Sequence, residues 1–242
     1  QERDAFLHVN DLLLPGEAPP PPLLALAGAA VNDSEIGAEG DAESFTMRRS
    51  QRAAGPPIQD RLKEGRELVV QVVREALGGK GPRVTCFIAL PGRYLVHAPQ
   101  SSFRGVSRRI QDPDERQRLR DILAGLPKSS GGFIVRTAGE GAQSTAFEAD
   151  ARFLVETWTA IAAKIGSTPA PSLLHADLDL FLRSLRDAST ASLGRVVVDD
   201  ERMHSAGRDY LRELDPQLAS RVHRHLGPAS LFDATGVSQD IE

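Results

Sequence analysis

The chain has 242 residues, 40% hydrophobic and 26% charged, which excludes a chain too polar to bury a core and allows one large domain or two to three small ones. Lys and Arg number 29 against 33 Asp and Glu, a formal net charge of −4, so a globally basic nucleic-acid binder is excluded and any such site has to be a local basic patch. Cys86 is the single cysteine, which excludes an internal disulfide and an all-cysteine metal site and points to a reducing, cytoplasmic setting.

In chain order, the sequence opens on Gln1 rather than methionine, as a fragment or a processed product would. Residues 1–13 hold an apolar, strand-like stretch around Phe6 to Val9. From 14 to 57 the composition is rich in proline, alanine, glycine and acid (PGEAPPPP, then NDSEIGAEGDAES). Such a segment buries too little apolar surface to offset its ordering, and a flexible insertion is expected. Its longest apolar stretch, 23–31, is far shorter than a membrane span and lacks a basic flank. Residues 68–74 (LVVQVVR), 84–89 and 94–98 read as strands, the first two joined by a turn at GGKGP, and their close succession predicts one antiparallel β unit.

A helix is predicted to start at Asp112, with Pro113 in its first position and Glu115 completing a capping box. A strand over 132–137 and the glycine turn AGEG follow. Phe147, Ala151, Leu154, Trp158, Ile161 and Ile165 then fall on one helical face. Beyond them the pattern predicts a helix over about 178–187, a buried strand over 195–199, and helical stretches near 201–213 and 216–226.

Several residue types suggest chemistry. Arg136 ends a predicted strand and precedes Thr137 and a glycine turn. A guanidinium can grip a phosphate through two parallel hydrogen bonds, and a hydroxyl and turn amides can add donors. The plain alternative is a solvated or ion-paired surface arginine. Residues 103–120 hold six arginines (104, 108, 109, 116, 118 and 120), offset by Asp112, Asp114 and Glu115. They suit RNA phosphates or, over 116–120, the solvated face of an amphipathic helix. GGKGP lacks the glycine spacing and following hydroxyl of a P-loop. Asp199 and Asp200 follow a strand, but two-metal nucleases need further converging carboxylates, so they read as strand-end acids. Asp177 and Asp179, after His175, read as the acidic start of a helix. His223 and His225, two apart on a predicted helix, point to different faces. None of these is assigned a metal.

Four blocks taken together resemble the ribonuclease E/G family of bacterial endoribonucleases: LKEGRELVVQV with GGKGPRVTCFIALPGRYLVHAP, then GVSRRI, then GFIVRTAGEG, then PAPSLLHADLDLFLRSLRD with RVVVDDE. The resemblance covers nearly the whole chain outside 14–57. It implies an α+β fold: a partial OB-fold β-barrel of the S1 type over 1–86, a mixed α/β 5′-sensor region over 87–181, and part of a ribonuclease-H-like domain over 182–242. It implies that Arg136 and Thr137 hold the 5′-terminal monophosphate of an RNA and that Gly92 and Val96 complete the pocket. Phe6, by stacking, and Lys80, by charge, match positions that contact the single strand. Arg108 and Arg109 of GVSRRI join this RNA-binding set. The implied partner is single-stranded RNA, preferably 5′-monophosphorylated, in RNA decay and rRNA or tRNA processing, with a homo-oligomer as the full-length family protein.

The family's Mg²⁺ and Zn²⁺ belong to a region downstream of these blocks. No cofactor and no catalytic residue is therefore carried onto this chain, which the resemblance makes a piece truncated at both ends that binds RNA without cutting it. An OB-fold lacking its first strands exposes edges and core, so 1–86 is not expected to fold alone. The residues themselves leave two other functions open: a nonfunctional remnant or scaffold acting only through protein contacts, and an independent hydrolase using Asp199 and Asp200.

Overall fold

Short β-branched runs pair as their composition suggests, but into two sheets rather than one. A computed structural model describes residues 4–14, 17, 57–127, 131–188, 193–214 and 216–241. The expected insertion at 14–57 therefore lies outside the described residues, apart from Leu14, Glu17 and Pro57. β1 (Phe6–Leu7), β2 (Gln71–Arg74) and β3 (Arg83–Thr85) form a three-stranded sheet in the order β1-β3-β2, with β1 parallel and β2 antiparallel to β3. β4 (Leu90–Pro91), β5 (Leu95–Ala98), β6 (Arg104–Val106) and β7 (Gly132–Val135) form a second sheet in the order β4-β5-β7-β6. Here β5 is antiparallel to both β4 and β7, while β6 runs parallel to β7.

The third strand of the expected antiparallel unit thus pairs with β7 instead of β3. The chain leaves the first sheet after Thr85, where the Cys86 amide donates to the Asp11 carbonyl (2.8 Å) and the Phe87 amide to Thr85 Oγ1 (3.2 Å). Both sheets are open, and no closed barrel exists among the described residues. β4 and β6 escape sequence patterning because each is two or three residues long and carries a proline or a glycine, which strands disfavour. One side chain stitches the sheets together. Gln71 in β2 accepts from the Ala89 amide (2.8 Å) and donates to the Ala89 carbonyl (3.0 Å), imitating a strand partner for a fully buried residue. Gln71→Ala leaves both groups without that partner, and urea denaturation is expected to show a loss of about 2 kcal/mol; a loss below about 0.5 kcal/mol would mean the stitch contributes nothing.

The second sheet is buried on both faces, so every position of β5 and β7 is buried, His97 included. Leu95, Phe133 and Val135 face α2 (Pro113–Gly125) and α3 (Ser144–Ile165), which contribute Leu119, Leu123, Phe147 and Leu154 to this cluster. The short helix α1 (Ile58–Arg61) buries no residue. Val96, Ala98 and Ile134 face the other way, against Phe87 and Ala89. The α2 start is as expected in part: Asp112 accepts from the Asp114 amide (3.0 Å) and Pro113 takes the first position. The capping box does not form, because Glu115 is engaged elsewhere. At the other end Arg104 donates to the carbonyls of Leu123, Leu126 and Pro127, satisfying groups a helix terminus leaves open. The predicted face of α3 is buried at Phe147, Ala151, Leu154 and Ile161, while Ile165 at its last turn is exposed.

The chain divides into two compact units, Gln1–Leu174 and His175–Glu242. In the second, α4 (Leu180–Ala188) precedes β8 (Val196–Val198), α5 (Glu201–Leu214), α6 (Pro216–Ala219), β9 (Val222–Arg224), α7 (Leu231–Thr235) and α8 (Val237–Ile241). The helical stretch expected near 216–226 is instead four helical residues and a strand. Val222 pairs with Val196 in parallel register and joins the buried cluster of Leu185, Leu211 and Leu218, so ladder bonds and burial outweigh helical periodicity. His223 therefore lies in a strand, and His225 just beyond it bonds through Nε2 to the Ala229 carbonyl (2.9 Å). Asp179 and Asp200 act as helix starts, accepting from the amides of Leu182 (2.8 Å) and Met203 (2.9 Å). Among the described residues no helix is long and apolar enough to cross a membrane.

Candidate functional site

β6 and β7 run parallel and end level, Val106 opposite Val135. Two loops therefore leave the same sheet edge side by side at the carboxyl ends of parallel strands, the place where open α/β sheets collect ligands. One loop is 107–109, from the GVSRRI block. The other begins with Arg136 and continues as the 3₁₀ turn Thr137–Gly139, from the GFIVRTAGEG block. Ser107, fully buried, joins them: its amide donates to the Val135 carbonyl (2.9 Å), its hydroxyl lies 3.4 Å from that of Thr137, and it accepts from the Arg109 amide (3.3 Å). Arg116 of α2 pins this loop from behind, donating to the carbonyls of Ser107 (2.7 Å) and Ile110 (2.8 Å). Arg108 and Arg109 are left exposed beside a half-buried Thr137.

Arg136 is only 6% exposed and lies beneath the turn between β4 and β5. Its amide donates to the Tyr94 carbonyl (2.8 Å), and its Nη1 donates to the Gly92 carbonyl (2.7 Å) and more weakly to that of Arg93 (3.4 Å). Asp150, a buried acid on α3, holds the same turn. Its carboxylate accepts from the amides of Arg93 (3.1 Å), Tyr94 (2.8 Å) and Leu95 (2.9 Å). Burial pushes the Asp150 carboxyl up from its ordinary range, while the three amides and the Arg136 charge pull it the other way. Gly92 is dictated by this packing, since a Cβ there would stand 2.6 Å from both carboxylate oxygens.

A second clamp holds the turn after Thr137. Glu115 pairs with Arg118 (2.6 Å) and accepts from the amide of Gly141 (2.8 Å), whose φ of +71° suits glycine. Arg118 also donates to the Ala142 carbonyl (3.0 Å). The Arg118 hydrogen bond, followed by that from Gly141, lowers the Glu115 pKa from 4.5 to about 2. A carboxylate depressed in the folded state contributes stability that is present above its unfolded value and lost as pH falls through its folded value. The stability difference between the unmutated chain and Glu115→Gln is therefore expected to be full at pH 7 and to shrink between about pH 4.5 and about pH 2. Urea midpoints across that range check it, and a difference independent of pH would show that the ion pair contributes nothing.

Half of the arginine tract is thus structural. Arg104, Arg116 and Arg118 are committed to backbone carbonyls or to Glu115, so 116–120 is not simply a solvated helix face. Arg120 reaches Gln117 at the surface (3.4 Å). Gly92, Arg136 and Thr137 are brought together with the 107–109 loop. Val96 lies within β5 at 1% exposure, so its part in any pocket is played from the core. Phe6 and Lys80 sit apart from them, on the three-stranded sheet. Phe6 is 58% exposed in β1, with its amide bonded to the Pro82 carbonyl (2.7 Å), and Lys80 is exposed in the turn that Leu77 closes. Phe6 is therefore not a core residue.

Sequence reasoning missed Ser107 and Asp150. Ser107 carries no signal beyond its place in GVSRRI. Asp150 does carry one: with Phe147, Ala151 and Leu154 it falls at helical spacing on the apolar face, where an acid needs partners. Among the described residues no group of three or more His, Cys, Asp and Glu is placed to hold a metal ion.

Residues 89–242 match the model of the Ribonuclease E/G family. The chain is 32% identical over 241 residues to ribonuclease G of Escherichia coli K12, which covers all of this chain and 44% of that protein. It is 31% identical over 241 residues to ribonuclease G of Haemophilus influenzae, again covering all of this chain and 44% of the relative. To ribonuclease E of Escherichia coli K12 it is 36% identical over 190 residues, covering 77% of this chain and 18% of that protein. The chain thus spans less than half the length of these relatives, and on the match over 89–242 it belongs to the ribonuclease E/G family.

Proposed function

We propose that this chain binds single-stranded RNA and senses a 5′-monophosphate, as part of a ribonuclease E/G-type endoribonuclease working in cytoplasmic RNA decay and in rRNA and tRNA processing. Arg136 and Thr137 hold the terminal phosphate, Gly92 and Val96 shape the pocket, and Arg108 and Arg109 draw the neighbouring phosphates. Phe6 stacks a base and Lys80 follows the backbone on the three-stranded sheet, which is a portion of an OB-fold; the β8–α5–β9 unit is a portion of a ribonuclease-H-like domain. No residue of this chain is assigned a catalytic or metal-binding part. One observation carries the proposal: two sequence blocks expected to meet a phosphate end side by side on parallel β6 and β7, joined through Ser107 and Thr137. A dianionic phosphate there meets a guanidinium in a site of low dielectric, where charge-assisted hydrogen bonds are strong.

The test is binding of a short single-stranded RNA bearing a 5′-monophosphate or a 5′-hydroxyl, at fixed salt because phosphate contacts are salt-dependent. The monophosphate is expected to bind roughly tenfold more tightly. Equal binding by a folded sample rejects phosphate sensing. Phe6→Ala is expected to weaken both RNAs by the same factor, worth about 1–3 kcal/mol for a stacked base. An unchanged affinity would remove Phe6 from the surface that binds the strand.

A further inference from the structure

We propose that Asp150 is the positioning residue of the phosphate pocket: an internal carboxylate that locks the 92–95 turn in the form that orients Arg136. This rests on the phosphate-sensing function proposed above. Three consecutive amides, of Arg93, Tyr94 and Leu95, converge on one carboxylate, the arrangement by which a backbone nest holds an anion. The turn is therefore already charge-satisfied, and its amides are not donors for a ligand. Their inward aim leaves the carbonyls of Gly92 and Arg93 turned toward the Arg136 guanidinium, which bonds the first at 2.7 Å. Asp150 is buried and comes from α3, far from the turn in sequence, and Gly92 is bare of a side chain where the carboxylate packs. The chain of contacts runs from the α3 acid through the turn to the arginine that follows β7. Loosening the acid frees the turn, and a freed turn no longer fixes the plane in which Arg136 presents its donors.

Asp150→Asn separates positioning from folding, because it keeps the volume and one acceptor oxygen while turning an N–H₂ toward amides that also donate. The readout, on the whole 242-residue chain, is the ratio of the dissociation constants for 5′-hydroxyl and 5′-monophosphate RNA. That ratio is expected to fall roughly tenfold, to near one, as one charge-assisted hydrogen-bond set is lost. In an Arg136→Ala background the same substitution is expected to change the ratio no further, a non-additivity that a general loss of stability does not produce. Amide hydrogen exchange at Tyr94 and Leu95 is expected to speed up in Asp150→Asn without RNA present. If Asp150→Asn does not fold, Asp150→Glu, which keeps the charge and displaces it by one methylene, is expected to fold and lose part of the ratio. A folded variant with the unmutated ratio and unmutated exchange overturns positioning by Asp150 and leaves phosphate sensing standing. An unmutated chain with a ratio of one rejects phosphate sensing itself and this role with it.

Discussion

Asp150→Ala is expected to lower the stability of the chain by about 3–5 kcal/mol, among the largest effects available to a single substitution here. The methyl group left behind offers nothing to the amides of Arg93, Tyr94 and Leu95, and the Leu95 amide lies in the buried core where water does not replace the carboxylate. Each buried donor left unmade costs about 1–3 kcal/mol, and the cavity adds to that. Arg136 also loses the opposite charge that faces it. A urea titration that finds the midpoint lowered with an unchanged slope supports this ranking. A loss below about 1 kcal/mol would mean that the turn rearranges and pairs its amides elsewhere.

Arg136→Ala is expected to bring the ratio of 5′-hydroxyl to 5′-monophosphate dissociation constants to near one, and Arg136→Lys to recover only part of it. Lysine restores the charge but not the planar fork that places two donors on one phosphate. The native Nη1 also bonds the Gly92 carbonyl, and lysine cannot hold that carbonyl and a phosphate in the same geometry. Both variants are compared by this ratio rather than by affinity for one RNA, because a general loss of stability affects each ligand alike. A full ratio in Arg136→Ala assigns phosphate sensing to other cations, with the exposed Arg108 and Arg109 next in line.

The elements of this fold were legible wherever a short-range signal was strong. Asp112 and Pro113 start α2, the six-residue apolar stripe marks α3, and the β-branched runs mark β2, β5 and β7. What went unread has a common cause. Glu115 has the right spacing for a capping box, but a stronger partner, Arg118, and the amide of Gly141 take its carboxylate. β9 hides in a stretch with helical periodicity because only its parallel partner β8 makes it a strand.

The sequence by itself determined the resemblance to the family, the α+β character and the pairing of arginine with threonine before a glycine turn, because caps, periodicity and turn chemistry act within a few residues of one another. Only the tertiary structure decided which arginines are committed inside the fold, that the GVSRRI and RTAGEG blocks end together on parallel strands, and that Asp150 holds the turn above Arg136. These depend on pairings such as that of Arg93 with Asp150, 57 residues apart, whose free energy comes from burial and exists only once the chain has closed on itself.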